Sequence, residues 1–294
     1  QEVVWQMANG LNAQTRLEKL SLIRSTLNTK NASAHFISAL DDIAWILNCR
    51  GQDVEYNPVF LAHLFIDTSR TVLFIDDIKL SKELHQLLAQ DQITVLPYTQ
   101  TEFFLSQLSQ QHVLIDPAKV SILHTQSIQK NNQLVQDINP STLFKSRKHA
   151  TEITHIRNAM TKDGVALSHF FYWLETALTQ NQPINELTID EKITAFRAEQ
   201  VGFIGLSFST IAGFNANGAL PHYRATKDSY SQIQGDGLLL IDSGAQYHDG
   251  TTDITRVIPI GTPSTEQKRD YTLVLKCHIA LAQTVFPEGI ASRS

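Results

Sequence analysis

The chain has 294 residues, 42% hydrophobic and 18% charged, with 13 Gly and 9 Pro, ordinary proportions for a globular protein long enough to bury two cores. A net charge of -5, with Lys and Arg scattered rather than clustered, argues against nucleic acid or an anionic membrane as the main partner. No apolar run approaches the roughly 18 residues that a membrane span needs.

In chain order, Leu17, Leu20, Ile23 and Leu27 recur at near-helical spacing, Ala34 to Ile37 is a strand candidate, and Asp41 to Leu47 is a short helix containing Trp45. Thr71 to Ile75 is a strand stopped by Asp76-Asp77. Leu80 to Ala89 reads as a helix, Ile93 to Leu96 as a strand ended by Pro97, Glu102 to Leu108 as a helix and Val113 to Ile115 as a strand. Strands alternating with helices predict an α/β layer domain. The turn cluster Ile138-Asn139-Pro140-Ser141 marks its end, dividing the chain into residues 1–140 and 141–294. Beyond it, Ile153, Ile156, Met160, Leu167, Phe171, Leu174 and Leu178 share one face of a long helix, with Asp163-Gly164 a candidate bend. Thr188-Ile189-Asp190-Glu191 reads as a capping box opening the next helix. Phe203 to Ile211 is strand-like, Gly213 to Gly218 a loop, Leu238 to Ile241 a buried strand and Ile254 to Ile260 its hairpin partner. Ser264-Thr265-Glu266-Gln267 opens a last helix whose apolar face carries Tyr271, Val274, Leu275, Ile279 and Ala282. The start, Gln1-Glu2-Val3-Val4-Trp5-Gln6, lacks a signal-peptide pattern, and Cys49 and Cys277 read as two free core thiols in a reducing, cytoplasmic setting.

The chemistry concentrates in Ile241-Asp242-Ser243-Gly244-Ala245-Gln246-Tyr247-His248-Asp249-Gly250-Thr251-Thr252-Asp253-Ile254-Thr255-Arg256. Asp is depleted in strands, where its short polar side chain packs poorly, so two on one hairpin suggest a task other than packing. With Asp249-Gly250 as the tight turn, residue 242 faces 257, and Asp242 and Asp253 point to the same face. Four residues along a strict ladder is about 13 Å, too far for one metal cluster unless a bulge at Ser243-Gly244 or a longer turn intervenes. Carboxylates brought together need a shared proton or a hard divalent cation. Spacing alone also fits Asp242 capping a strand end and Asp253 making a local turn contact. Thr255 shares the face and is a candidate hydrogen-bond donor to a ligand carboxylate; Arg256 points away. His248 and Asp249 are expected at a solvated turn. His222, by itself, fits a structural residue as readily as a catalyst.

These residues carry a resemblance. Ile241 to Tyr247 with Asp249 to Arg256, Gly205-Leu206-Ser207-Phe208, and Gly218-Ala219-Leu220-Pro221-His222-Tyr223 resemble the first metal-binding segment of aminopeptidase P, the Xaa-Pro aminopeptidase family, and the stretches just upstream of it. Ala39 to Gly51 and Tyr56-Asn57-Pro58-Val59-Phe60 resemble the middle domain of its three-domain form. The resemblance implies an α/β chain: a creatinase-N-terminal-like α/β domain over 1–140, then the first half of a pita-bread α+β catalytic domain over 141–294. It implies two divalent metal ions, Mn²⁺ by the family's habit, with Asp242 a terminal bidentate ligand and Asp253 the bridging one. It implies His222 as the catalytic, substrate-contacting residue, Phe208 as a further substrate contact, and cleavage of the peptide bond before proline by a metal-activated water. The expected partners are peptides with proline at the second position, with a cytoplasmic homodimer at full length. The family's other His, Glu and Glu ligands are expected beyond Ser294, and its own N-terminal domain ahead of Gln1. The chain alone is therefore expected to bind metal weakly, to hydrolyse nothing, and to expose a sheet edge and apolar surface prone to self-association. An Xaa-Pro dipeptidase of the same fold is an alternative, and so is a metal-free pita-bread binding module, which both retained Asp residues disfavour.

Overall fold

In a computed structural model, residues 3–287 are described. In chain order they form β1 (Trp5–Gln6), α1 (Arg16–Thr29), β2 (Ala34–Ile37), α2 (Leu40–Leu47), β3 (Cys49–Arg50), β4 (Ala62–Asp67) and β5 (Thr71–Ile75). There follow α3 (Lys82–Gln90), β6 (Ile93–Pro97), α4 (Thr101–Gln107), β7 (His112–Ile115), α5 (Ile122–Gln129), β8 (Gln133–Gln136) and α6 (Pro140–Ser146). The remainder comprises α7 (Ala150–Thr179), α8 (Glu186–Ala198), β9 (Phe203–Leu206), β10 (Ile211–Phe214), β11 (Gly237–Ser243), β12 (Ala245–Tyr247), β13 (Gly250–Thr251), β14 (Ile254–Ile260) and α9 (Thr265–Ala282). No helix among the described residues is long and apolar enough to cross a membrane.

The chain divides into two compact units. Among the described residues, the first takes those up to 164 with 200–208 and 245–252; the second takes 165–199, 209–244 and those from 253 onward. The first is built on a six-stranded mixed sheet in the order β6-β5-β4-β2-β7-β8. Its central strands are buried along their length and mostly apolar because both faces are covered, with His35 of β2 and His63 of β4 the buried imidazoles among them. Alternate residues sort into two cores: Ile37, Leu64, Leu73 and Leu114 join Leu20, Ile23, Leu27, Ile43 and Leu84 of the helices on one face. Phe36, Phe65, Phe74 and Val113 join Leu105 and Ile128 on the other. Of the predicted helical row, Leu17 is exposed while Leu20, Ile23 and Leu27 are buried. Asp42 is buried and accepts from Asn139 Nδ2 at 2.9 Å, Thr142 Oγ1 at 3.2 Å and Lys145 Nζ at 2.8 Å, which ties α6 to α2.

A second, small sheet of the first unit runs β13-β12-β9 and packs Ala245, Tyr247 and Phe203 around Ala159 of α7. Here two expectations are corrected. The strand-like run from Phe203 to Ile211 is two strands in two different sheets, β9 and β10. The turn centres on His248-Asp249, because β12 pairs with β13 through Tyr247↔Gly250 and Gln246↔Thr251. Gly250 is needed for another reason than a left-handed turn: a Cβ there would lie 3.0 Å from Ala159 Cβ and 3.4 Å from Ile156 Cα, so glycine lets helix α7 approach. Asp249 is not simply solvated either; its Oδ1 pairs with Lys162 Nζ at 2.7 Å, whereas His248 is exposed.

The second unit has the antiparallel sheet β10-β11-β14. Leu239, Ile241, Ala212, Phe214 and Ile260 pack on Leu167, Phe170 and Leu174 of α7 and on Ile189 and Ile193 of α8. Along α7, Ile153 and Met160 of the predicted row are exposed while Phe170 is buried, and the helix passes through Asp163-Gly164 without interruption. Helix α8 begins earlier than the Thr188 signal suggests: Asn185 is the cap, its Oδ1 accepting from Thr188 N at 2.9 Å. Ser264 and Gln267 do form the capping box of α9. That helix buries none of its residues; Tyr271, Val274, Leu275 and Ile279 are exposed, and Cys277 is an exposed thiol rather than a core one. Cys49 is buried, which pushes its thiol up to about 11.

Gly213 sits where β10 meets the turn Asn215–Ala219, and a Cβ on it would lie 2.7 Å from the Cα and N of Gly218. Gly213→Ala is therefore expected to destabilise this unit by about 1–3 kcal/mol, since the obstacle is backbone that cannot rotate away. Urea denaturation followed by the fluorescence of Trp173 would measure it, and an unchanged midpoint would disprove the steric account.

Candidate metal centre

The β11–β14 ladder pairs Asp242 with Thr255, Ile241 with Arg256 and Leu240 with Val257. A turn centred one residue earlier than expected moves every partner by two, so side-chain parity is preserved and the offset is halved. Asp253 thus stands two positions from Asp242's partner, about 7 Å along a strand instead of about 13 Å. No bulge at Ser243-Gly244 is required to narrow the gap. Burial alternates accordingly. Ile254 packs on the core of the second unit, while Asp253 and Thr255 are exposed and Asp242 is half-buried. Leu239 and Ile241 of β11 face the core, which leaves Asp242 on the opposite face with Leu240.

Thr255 Oγ1 donates to Asp242 Oδ1 at 2.7 Å. That bond fixes one carboxylate oxygen and leaves lone pairs on both for another partner. Arg256, on the other side of the strand, turns back to donate to the Thr255 carbonyl at 2.7 Å. Among the described residues neither Asp242 nor Asp253 has a Lys, Arg or His ion-pair partner. Two same-face carboxylates without such a partner among the described residues form a hard oxygen donor set of the kind that divalent Mg²⁺, Mn²⁺ or Ca²⁺ prefers. Among the described residues no group of three His, Cys, Asp or Glu side chains converges as a complete metal cage.

His222 lies in the long connection between β10 and β11, exposed, at φ +55°. A left-handed conformation is uncommon for a residue with a Cβ and persists only where neighbours hold it. The neighbours here were invisible to pattern reading. Glu186, fully buried at the start of α8, accepts from Phe214 N at 2.7 Å, Ser231 N at 2.7 Å, Tyr223 Oη at 2.8 Å and Asn217 Nδ2 at 3.0 Å. Desolvation first, and then the adjoining Glu186 carboxylate, push the Tyr223 phenol up to about 12, so it stays a donor at neutral pH. A lone Glu behind an Asn cap carries no sequence signal beyond a helix start. Phe208 follows β9 and is half-buried.

Comparison with known proteins fits this arrangement. Residues 1–152 match the creatinase/prolidase N-terminal domain and residues 154–293 match metallopeptidase family M24. The Xaa-Pro aminopeptidase ApepP of Drosophila melanogaster is 37% identical over 279 residues, which is 94% of this chain and 46% of that protein. The chain thus spans about half the length of the curated relatives it matches. The crystal structure of the X-prolyl aminopeptidase of Caenorhabditis elegans, described as a cytosolic enzyme with a di-nuclear active site, superposes with a TM-score of 0.92 at 30% identity, over 99% of this chain and 48% of that one. The N-terminal domain of the FACT complex subunit SPT16 from Cicer arietinum superposes with a TM-score of 0.66 at 14% identity, over 92% of this chain and 72% of that one. That likeness shows the fold alone, and a shared fold does not convey a function. The half-chain match to the N-terminal domain, continued by the M24 match, establishes that this chain belongs to the creatinase/prolidase family of M24 metallopeptidase proteins.

Proposed function

We propose that the intact protein hydrolyses the peptide bond between an N-terminal residue and proline, at a centre of two divalent metal ions held in part by this chain. The observation that supports this reading most is the pair of same-face carboxylates, Asp242 and Asp253, with Thr255 bonded to the first. Asp242 would be the terminal ligand and Asp253 the bridging one, and Mn²⁺ is the metal we assign. When bound, the metals supply an activated water and polarise the carbonyl under attack. The chain's own contribution is positional. Thr255 orients the Asp242 carboxylate, His222 contacts the peptide beside the bond to be cut, and Phe208 is a further substrate contact. Residues 1–140 serve as a middle domain, and residues 141–294 contribute to the catalytic domain, of a homodimeric cytoplasmic enzyme.

The test is an assay of the intact protein on an Xaa-Pro-Pro tripeptide and an Xaa-Pro dipeptide, with Mn²⁺ and with a chelator. Tripeptide cleavage that requires Mn²⁺ is expected. Activity confined to dipeptides would replace the reading with a dipeptidase, and no activity on either would replace it with a binding module. Thr255→Val removes only the donor to Asp242. It is expected to lower Mn²⁺ affinity or activity by about 10- to 100-fold, the usual effect of losing an orienting partner of a ligand. Titration calorimetry with Mn²⁺ beside the peptide assay would check it, and unchanged values in both would remove Thr255 from the site.

A further inference from the structure

The connection between β10 and β11 has no strand or α-helix of its own, and yet it presents His222 at a left-handed φ. Besides its own backbone turns, one carboxylate ties it to α8. Glu186 Oε2 takes the Tyr223 hydroxyl at 2.8 Å and the Ser231 amide at 2.7 Å, while Oε1 takes the Phe214 amide at 2.7 Å. Asn217 Nδ2 reaches both oxygens at 3.0 and 3.1 Å, and also bonds Tyr223 Oη at 2.9 Å and Ser231 Oγ at 2.9 Å. These contacts grip the connection five residues before His222 and immediately after it. The backbone of Ser231 accepts from Glu186 N at 3.2 Å, closing the far end of the connection.

Every partner of the carboxylate is a neutral donor. Two acceptor oxygens on one side chain take four donors at once, which the amide of a glutamine, with a single acceptor oxygen, does not. An isolated buried charge is costly, and it is retained only where its hydrogen bonds are complete. Phe214, another of the bonded residues, ends the strand β10 whose Ile211 is registered against Asp242. The same carboxylate therefore grips both the His222 connection and the sheet that carries Asp242.

We infer that Glu186 is a positioning residue for His222: its buried carboxylate clamps both flanks of His222 and sets where the imidazole stands relative to the β10–β11 sheet. This rests on the proposed role of His222 at the substrate. Glu186→Gln would keep the volume but turn an amide N–H₂ toward one of the donors, releasing that side of the clamp. Tyr223→Phe would release the contact next to His222 and leave the other bonds to the carboxylate in place.

The experiment is a mutant cycle in the intact, Mn²⁺-loaded protein on an Xaa-Pro-Pro peptide, with His222→Ala, Glu186→Gln, Tyr223→Phe and each double variant. Glu186→Gln is expected to lower kcat/KM by about 100-fold, the cost of misplacing a group by about 1 Å, and Tyr223→Phe by less. In the His222→Ala background both losses are expected to vanish, because residues acting as a unit are not additive. Losses that multiply with that of His222→Ala would overturn the inference and leave the proposed function standing. A His222→Ala variant as active as the wild type would overturn both. Should Glu186→Gln fail to fold, the Tyr223→Phe arm decides by the same criterion. Independently of activity, the His222 amide resonance of the metal-free chain is expected to move in Tyr223→Phe while those of β2 and β4 do not, and an unmoved His222 would also overturn the inference.

Discussion

Asp242→Asn in the intact protein is expected to lower kcat/KM on an Xaa-Pro-Pro peptide by roughly 10³-fold, because several kcal/mol of metal-borne charge stabilisation are lost and each 1.36 kcal/mol is about tenfold in rate. The substitution keeps the shape of the side chain and keeps an oxygen for Thr255 Oγ1, which now reaches Asp242 at 2.7 Å. What disappears is the negative charge, and with it the reason for a cation to sit there. Asp253→Asn is expected to do the same on the proposed reading, in which its carboxylate would be shared by both metals. Neither change should touch the fold: Asp253 is exposed, Asp242 half-buried, and surface substitutions away from packed features usually stay within about 0.5 kcal/mol. Calorimetric titration with Mn²⁺ should show weakened binding alongside unchanged urea midpoints. An Asp242→Asn protein that keeps Mn²⁺-stimulated cleavage would remove this face of the sheet from the catalytic centre.

Acid is expected to undo the first unit before it reaches the usual carboxylate range, through His35. This residue lies on β2 at the middle of the six-stranded sheet and is fully buried. Its Nδ1 donates to the Leu114 carbonyl at 3.0 Å, and its Nε2 is buried with no partner among the described residues. Burial, the largest influence, pushes the imidazole down to about 4, against the opposing effects of the Leu114 hydrogen bond and the Asp42 and Asp116 carboxylates. The unfolded chain takes up the proton near pH 6.5 and the folded chain only near 4, so the unfolded state holds more protons between those values. Stability is thus fully present above pH 6.5 and falls as the pH drops toward 4, by about 1.4 kcal/mol per pH unit, on the order of 3 kcal/mol in all. His63, on the adjoining strand β4, shifts in the same direction, through burial and then the neighbouring His124. Hydrogen exchange of the β2 amides at pH 7 and pH 5 would measure the effect on the unit that contains His35. His35→Gln is expected to be less stable than the wild type at pH 7 and to lose less on going to pH 5. Equal losses in the two proteins would show that His35 is not the proton acceptor.

Much of the architecture was legible because it depends on periodicity and local chemistry. The strands Ala34–Ile37, Thr71–Ile75 and Ile254–Ile260 lie where the apolar runs put them, and Ser264 with Gln267 caps α9 as its residue types require. Local rules failed where a tertiary contact set the outcome. Gly250 suggested a turn one residue late; the glycine lies in β13, paired with Tyr247, where a Cβ would crowd Ala159 and Ile156 of α7. Thr188 suggested a helix start, but Asn185 caps α8 and Thr188 is its donor. The run from Phe203 to Ile211 hid a change of sheet, which no pattern of alternation reports.

The two Asp residues divide in the same way. Sequence by itself determined that Asp242 and Asp253 share a face, because a strand's side-chain period of two survives any even shift of register. Only the tertiary structure decided how far apart they stand along that face, because the strand register, which pairs Asp242 with Thr255, is not written in side-chain parity. It also decided that Thr255 is bonded to Asp242 and that Glu186 lies beneath the His222 connection. Burial of a charge and the donors that satisfy it come from segments far apart in the chain, and spacing along one segment does not record them.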